Sequence, residues 1–149
     1  MQFECRQFTE LTPHQLYEII KLRNEVFVVE QNCVFQDADD KDQDAFHFML
    51  WIENDLAGYT RLLSPGSAYQ QMSIGRVVTS TKHRRAGVGR ELMSASIHKC
   101  FELFGEGDIK IGAQLYLKKF YESFGFIQMD EVYLEDGIEH IHMLRKKPN

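Results

Sequence analysis

The stretch Ile74-Gly75-Arg76-Val77-Val78-Thr79-Ser80-Thr81-Lys82-His83-Arg84-Arg85-Ala86-Gly87-Val88-Gly89-Arg90-Glu91-Leu92-Met93 constrains this chain more than any other. It reads as a β-branched strand, a basic turn bearing glycines, and the start of a helix. The first N–H groups of a helix have no partner within it, and the aligned peptide dipoles add partial positive charge there. Gly87 and Gly89 let a ligand approach the main chain without meeting a Cβ, and Arg84, Arg85 and Arg90 add formal charge. The segment is therefore a candidate anion site of a size that suits a phosphate or pyrophosphate. The same residues also fit a solvated basic loop at a helix start. Two familiar nucleotide readings fail. No Gly-x-x-x-x-Gly-Lys-Ser/Thr string exists, and Leu92 stands where the third glycine of Gly-x-Gly-x-x-Gly belongs.

The rest of the chain supplies one domain around that segment. With 149 residues, of which 44% are hydrophobic, it can bury a single core, and no repeat or linker divides residues 1–149. Gln2 to Phe8 alternates as an edge strand, and Thr12-Pro13 starts a helix carrying Leu16, Ile19, Ile20, Arg23 and Phe27. Asp37 to Asp44 reads as a solvated acidic loop whose charge could draw a cationic amine; it lacks the glycine and glutamate of a calcium loop. Strands are expected over Ala45 to Glu53, Leu56 to Leu63 and Gln71 to Ser80, the first two joined by a turn at Asn54-Asp55. A helix from Gly87 to Gly105, a strand from Asp108 to Ala113 and a helix from Leu115 to Phe124 follow. Strands Phe126 to Leu134 and Ile138 to Leu144 flank the hairpin signal Asp136-Gly137. The order is β-α-β-β-β-α-β-α-β-β, a mixed α/β (α+β) domain with helices packed on a sheet.

Charge and cysteine usage narrow the function classes. Seventeen Lys+Arg against 22 Asp+Glu give a net charge of −5, which argues against nucleic acid as a partner. A partner-binding or nucleic-acid role for Lys82, His83, Arg84, Arg85 and Arg90 stays as a rival reading. The longest apolar run, Phe48 to Ile52, is five residues, so no membrane span is expected, and the first six residues lack a signal-peptide layout. Cys5, Cys33 and Cys100 are odd in number and widely spaced, fitting neither a disulfide framework nor a zinc knuckle. A reduced, cytoplasmic, soluble protein is the expectation.

Arg84-x-x-Gly87-x-Gly89, a strand before it, an amphipathic helix after it, and the later Tyr121-Glu122-Ser123-Phe124-Gly125-Phe126 together resemble the GNAT superfamily of acyl-CoA-dependent N-acetyltransferases. The resemblance covers nearly the whole chain. Val26-Phe27-Val28-Val29-Glu30-Gln31, Ile74-Gly75-Arg76-Val77 and Glu135-Asp136-Gly137-Ile138 are similar to its ElaA-like branch. The resemblance implies a twisted, mostly antiparallel mixed sheet with helices on both faces, acetyl-CoA as acyl donor, and an amine as acceptor. It also implies a strand, here Gln71 to Ser80, splayed from the next so that Val77, Val78 and Thr79 offer main-chain groups to the pantetheine arm. The pyrophosphate would rest on Arg84, Arg85, Ala86, Gly87, Val88, Gly89 and Arg90, with Gln114 beside the pantetheine or the loop.

Tyr121 matches the family's general acid, which protonates the leaving thiolate. A phenol, with a pKa of about 10, lies above a thiol at about 8.5. An ammonium cannot attack a thioester, so a base is also needed. The strand around Arg76 offers no carboxylate, leaving Glu30, His47, His140 and His142, with His140 first and Glu30 second. Arg76 and His47 are candidate contacts to the acceptor, Arg76 being equally a structural ion-pair partner. His140, His142 and His47 also suggest zinc, but histidine pairs on terminal strands are more often surface residues, and no metal is expected. Two further expectations are a homodimer through the exposed final strands and, as the rival function, a non-catalytic acyl-CoA sensor.

Overall fold

The computed structural model describes residues 1–84 and 87–148. In chain order it contains β1 (Gln2–Gln7), α1 (Pro13–Arg23), β2 (Phe46–Ile52), β3 (Asp55–Leu63), β4 (Ser73–Thr79), α2 (Val88–Phe104), β5 (Ile109–Gln114), α3 (Lys118–Glu122), β6 (Ile127–Gln128), β7 (Tyr133–Glu135) and β8 (Ile138–Arg145). Thr12 caps α1 as its sequence suggests: its Oγ1 accepts from Gln15 N at 3.1 Å, and the Gln15 side chain accepts from Thr12 N at 3.0 Å. After Arg23 the helix widens into a π-helical segment, Asn24–Glu30, a rare geometry that no hydrophobic period announces.

β1 to β4 form one antiparallel array in the order β1-β2-β3-β4, and β8 pairs with β5 on one side and with β6 and β7 on the other. The parallel bridge Met72↔Ile109 joins the two arrays, with Lys110 N donating to Met72 O at 3.0 Å. Beyond it β4 and β5 part. The cause lies in β4, where Arg76 and Val77 stand opposite the single residue Thr60. An extra residue in one strand bends and twists that strand away from its neighbours.

The sheet is covered on both faces. Leu92, Met93, Ile97 and Cys100 of α2 and Tyr121 of α3 pack with Phe48, Leu50, Ile74, Ile111 and Ile141. On the other face, Ile19, Leu22 and Val26 pack on Met49, Tyr59 and Val78. α2 sits close to β3 because Gly58 has no side chain; a Cβ there would lie 3.1 Å from Leu92. Among the described residues, no helix is long and apolar enough to cross a membrane.

Three expectations change in detail. The β2–β3 turn falls on Glu53-Asn54, one residue early, with Glu53 at φ 56°. The expected strand Phe126 to Leu134 divides into β6 and β7, because Gln128 Nε2 donates to Asp130 O at 2.8 Å and turns the chain between them. Asp37 to Asp44 is not a solvated loop: Asp37 is buried, and three arginines hold the segment.

Candidate active site

The parted strands β4 and β5 form a cleft with main-chain groups along its walls. Ser80 N donates to Ala57 O at 2.8 Å, so Ser80 bonds toward β3. Alternation in an antiparallel pair then turns the N–H and C=O of Thr79, and of Val77 two residues back, toward the open edge. Arg84 Nη2 donates to Thr79 O at 3.3 Å, which agrees with that direction. Val78 is buried, pairs with Tyr59 and joins the α1-side core.

α2 begins at the end of this cleft. Its N-cap, Gly87, has φ 71°, a conformation that costs glycine little. A Cβ on Gly89 would stand 3.9 Å from Phe120 and 4.0 Å from Thr79, so the helix start, α3 and the end of β4 converge there. Val88 is buried against β3, and the Arg90 guanidinium lies 4.9 Å from the Phe124 ring centre with Nη1 donating to Ser123 Oγ. Arg85 and Ala86, expected in the anion turn, lie outside the described residues. The N–H groups at α2's start, which have no partner within the helix, and the open edge of β4 fit a ligand with a diphosphate at one end and an amide-bearing chain behind it.

Tyr121 is 5% exposed, edge-on to Phe120 at 5.2 Å and to Phe126 at 6.1 Å. Burial pushes its phenol pKa up, so it stays protonated throughout the neutral range. Gln114 ends β5 opposite His140 of β8. His140 is 7% exposed, and its Nδ1 is 2.7 Å from Ile138 O. A carbonyl can only accept, so Nδ1 donates this bond, and Nε2 lies 3.5 Å from Glu135 Oε2. Glu30 is placed differently. Both its oxygens accept from Arg84, and that bonding holds its carboxyl below the usual range and makes it a weaker base.

Gln31, which the sequence did not single out beyond its place in Val26-Phe27-Val28-Val29-Glu30-Gln31, exchanges amide hydrogen bonds with Gln114 at 3.2 and 3.3 Å. Glu30 and Gln31 thus tie the end of the π-helical segment to both sides of the cleft mouth.

Arg76 and His47 belong to a buried ion cluster on the α1 face. Arg23, 1% exposed, donates to Asp37 Oδ2 at 2.7 Å and to Asp42 Oδ1 at 2.8 Å. Arg61 holds Asp39 and Asp42, and Arg76 Nε donates to Asp37 Oδ1 at 2.8 Å. Three guanidinium groups balance three carboxylates, which is how such charges can leave water. His47 is fully buried, with Nδ1 2.7 Å from the Tyr59 hydroxyl and Nε2 2.8 Å from Asp42 O, so both nitrogens are occupied within the fold. His142 stacks on Tyr133 at 4.6 Å. Among the described residues, no group of three or more His, Cys, Asp or Glu is arranged to hold a metal ion.

The cluster dictates a pH dependence. Burial lowers the His47 pKa, outweighing Asp42, so below the ordinary value of about 6.5 the unfolded chain takes a proton that the folded chain resists. Burial raises Asp39 and Asp42, but their arginine hydrogen bonds outweigh it and hold both low. Their contribution is full above about 4 and is lost as pH falls through the folded value. Melting temperatures should therefore decline gently from pH 7 to 5 and steeply below about pH 4. Melts in a pH series check this, and a rise in stability toward pH 5 would contradict it.

Comparison with known proteins decides the family. The acetyltransferase (GNAT) domain family matches residues 9–147. The chain belongs to the GNAT family. It is 43% identical to protein ElaA of Escherichia coli K12 over 148 residues, 98% of this chain and 97% of that one. The crystal structure of Escherichia coli ElaA superposes with a TM-score of 0.90 at 40% identity, covering 97% of this chain and 99% of that one. A Pseudomonas aeruginosa protein described as an acyl-CoA N-acyltransferase superposes at 0.91 with 39% identity and the same coverage. Acyl transfer from an acyl-CoA is the general chemistry of this GNAT domain.

Proposed function

We propose that this protein moves an acetyl group from acetyl-CoA to a primary amine by direct attack within the β4–β5 cleft. The observation that carries the reading is that β4, bridged to β5 at Met72 and parted from it beyond, brings its end at Thr79 beside Gly89 at the start of α2. The α2 start, Gly87 to Gly89 with Arg84, Arg85, Ala86 and Arg90, takes the diphosphate, and the Val77 to Thr79 stretch pairs with the pantetheine arm. Gln114 orients that arm from β5.

His140 Nε2 removes the proton from the attacking amine, and the positive charge it acquires faces Glu135. The amine nitrogen bonds to the thioester carbon, and N–H donors on β4's open edge stabilise the oxyanion. The carbon–sulfur bond then breaks. Tyr121, which burial keeps protonated, gives its proton to the sulfur as the bond opens, and the phenolate takes back the proton that the new amide nitrogen sheds. Amide and free CoA result. Three unpaired cysteines support a reducing, cytoplasmic setting.

Thiol release from acetyl-CoA and from longer acyl-CoAs, measured against a panel of amines, tests the reading. Release with at least one primary amine, fastest with acetyl-CoA, is expected. Tight CoA binding with no release from any amine would make the protein an acyl-CoA sensor instead. The His140→Gln variant should turn over about a hundredfold more slowly while binding CoA normally.

A further inference from the structure

The reason β4 leaves β5 lies in one residue, and the structure shows what holds that residue in place. Arg76 occupies the bulge in β4 at φ 49°, where a residue with a Cβ rarely sits. A backbone in that region persists only when its surroundings impose it. Here the surroundings are one loop: Arg76 Nε donates to Asp37 Oδ1 at 2.8 Å, and Nη2 donates to Asp37 O at 2.9 Å. Asp37 is itself anchored, because its other carboxylate oxygen accepts from Arg23 Nε at 2.7 Å at the end of α1. A chain of contacts therefore runs from α1 through Asp37 to the bulge, and the next residue, Val77, is the first to present its main chain to the cleft.

We infer that Arg76 and Asp37 are positioning residues for the acyl-CoA: their ion pair holds the β4 bulge in its left-handed conformation and so aims the main chain of Val77 and Thr79 into the cleft. The arginine acts through its backbone, and its guanidinium is occupied by the acidic loop rather than by an acceptor. This rests on the cleft being the acyl-CoA site.

Glycine separates the two halves of the role, since it adopts a positive φ without help from a side chain. Arg76→Ala and Arg76→Gly remove the same ion pairs and should both melt at lower temperature than wild type. If the backbone is what matters, calorimetry with CoA should find Arg76→Ala about tenfold weaker, with Arg76→Gly within about threefold of wild type. Asp37→Asn should weaken CoA about fivefold alone and have no further effect in the Arg76→Gly background, because glycine no longer needs the tie. Equal weakening by alanine and glycine, no weakening by either, or an undiminished effect of Asp37→Asn beside glycine would each overturn the inference. If Arg76→Ala does not fold, the Asp37→Asn comparison in the two backgrounds decides alone. Failure of wild type to bind CoA would instead remove the proposed function.

Discussion

Tyr121→Phe should lower kcat by about a hundred- to a thousandfold and leave CoA affinity within about twofold of wild type. The ring makes the packing contacts, edge-on to Phe120 and Phe126, and phenylalanine keeps all of them. Only the hydroxyl is lost, and with it the proposed proton donor to the departing sulfur. The unfavourable burial of a phenolate keeps the donor protonated through the whole neutral range. The deficit should therefore be the same at pH 6.5 and pH 8.5. Steady-state rates at both pH values, beside a CoA titration, make the comparison. An unchanged kcat, or a deficit confined to one pH, would remove Tyr121 from the chemistry.

Asp42→Ala should cost about 3–5 kcal/mol of folding stability, the largest loss expected from a single loop residue in this molecule. Its carboxylate is shared by Arg23 and Arg61, each at 2.8 Å, and both guanidinium groups are almost wholly buried. Removing it strands two buried cations that have only Asp37 and Asp39 left to meet them. The corresponding fall in melting temperature is on the order of 10 °C for a chain of this size. Asp44, two residues on and exposed, gives the contrast: Asp44→Ala should change stability by no more than about 0.5 kcal/mol. Denaturant melts of both variants check this, and similar small losses from the two would mean that the ion cluster contributes little.

These two residues mark the boundary of what the sequence discloses. The role given to Tyr121 comes from the family resemblance, whereas the Gly87-Val88-Gly89 bend and the β-branched run before it were legible because their chemistry is local: glycine freedom, helix-start donors and strand propensity each act within a few residues. The hairpin at Asp136-Gly137 was legible for the same reason, and both residues have positive φ. The acidic loop was not. Its partners Arg23, Arg61 and Arg76 come from a helix and two strands 14 to 39 residues away, so the run of aspartates looks solvated until the fold collects the cations. The π-helical turn that brings Glu30 to Arg84 and Gln31 to Gln114 was hidden too, because those pairings span 54 and 83 residues. Arg76 shows both sides. Its place on a strand beside the anion turn was readable, but the bulge that turns its side chain to Asp37 is a property of how β3 and β4 pair.

The most direct test of the account is the set of backbone amide chemical shifts recorded while CoA is added to the wild-type protein. The largest changes should fall on Val77, Thr79, Gly87, Val88 and Gly89, which line the open edge of β4 and the start of α2. If millimolar CoA left those amides unmoved, or shifted only exposed lysines elsewhere on the surface, the cleft would not be the acyl-CoA site.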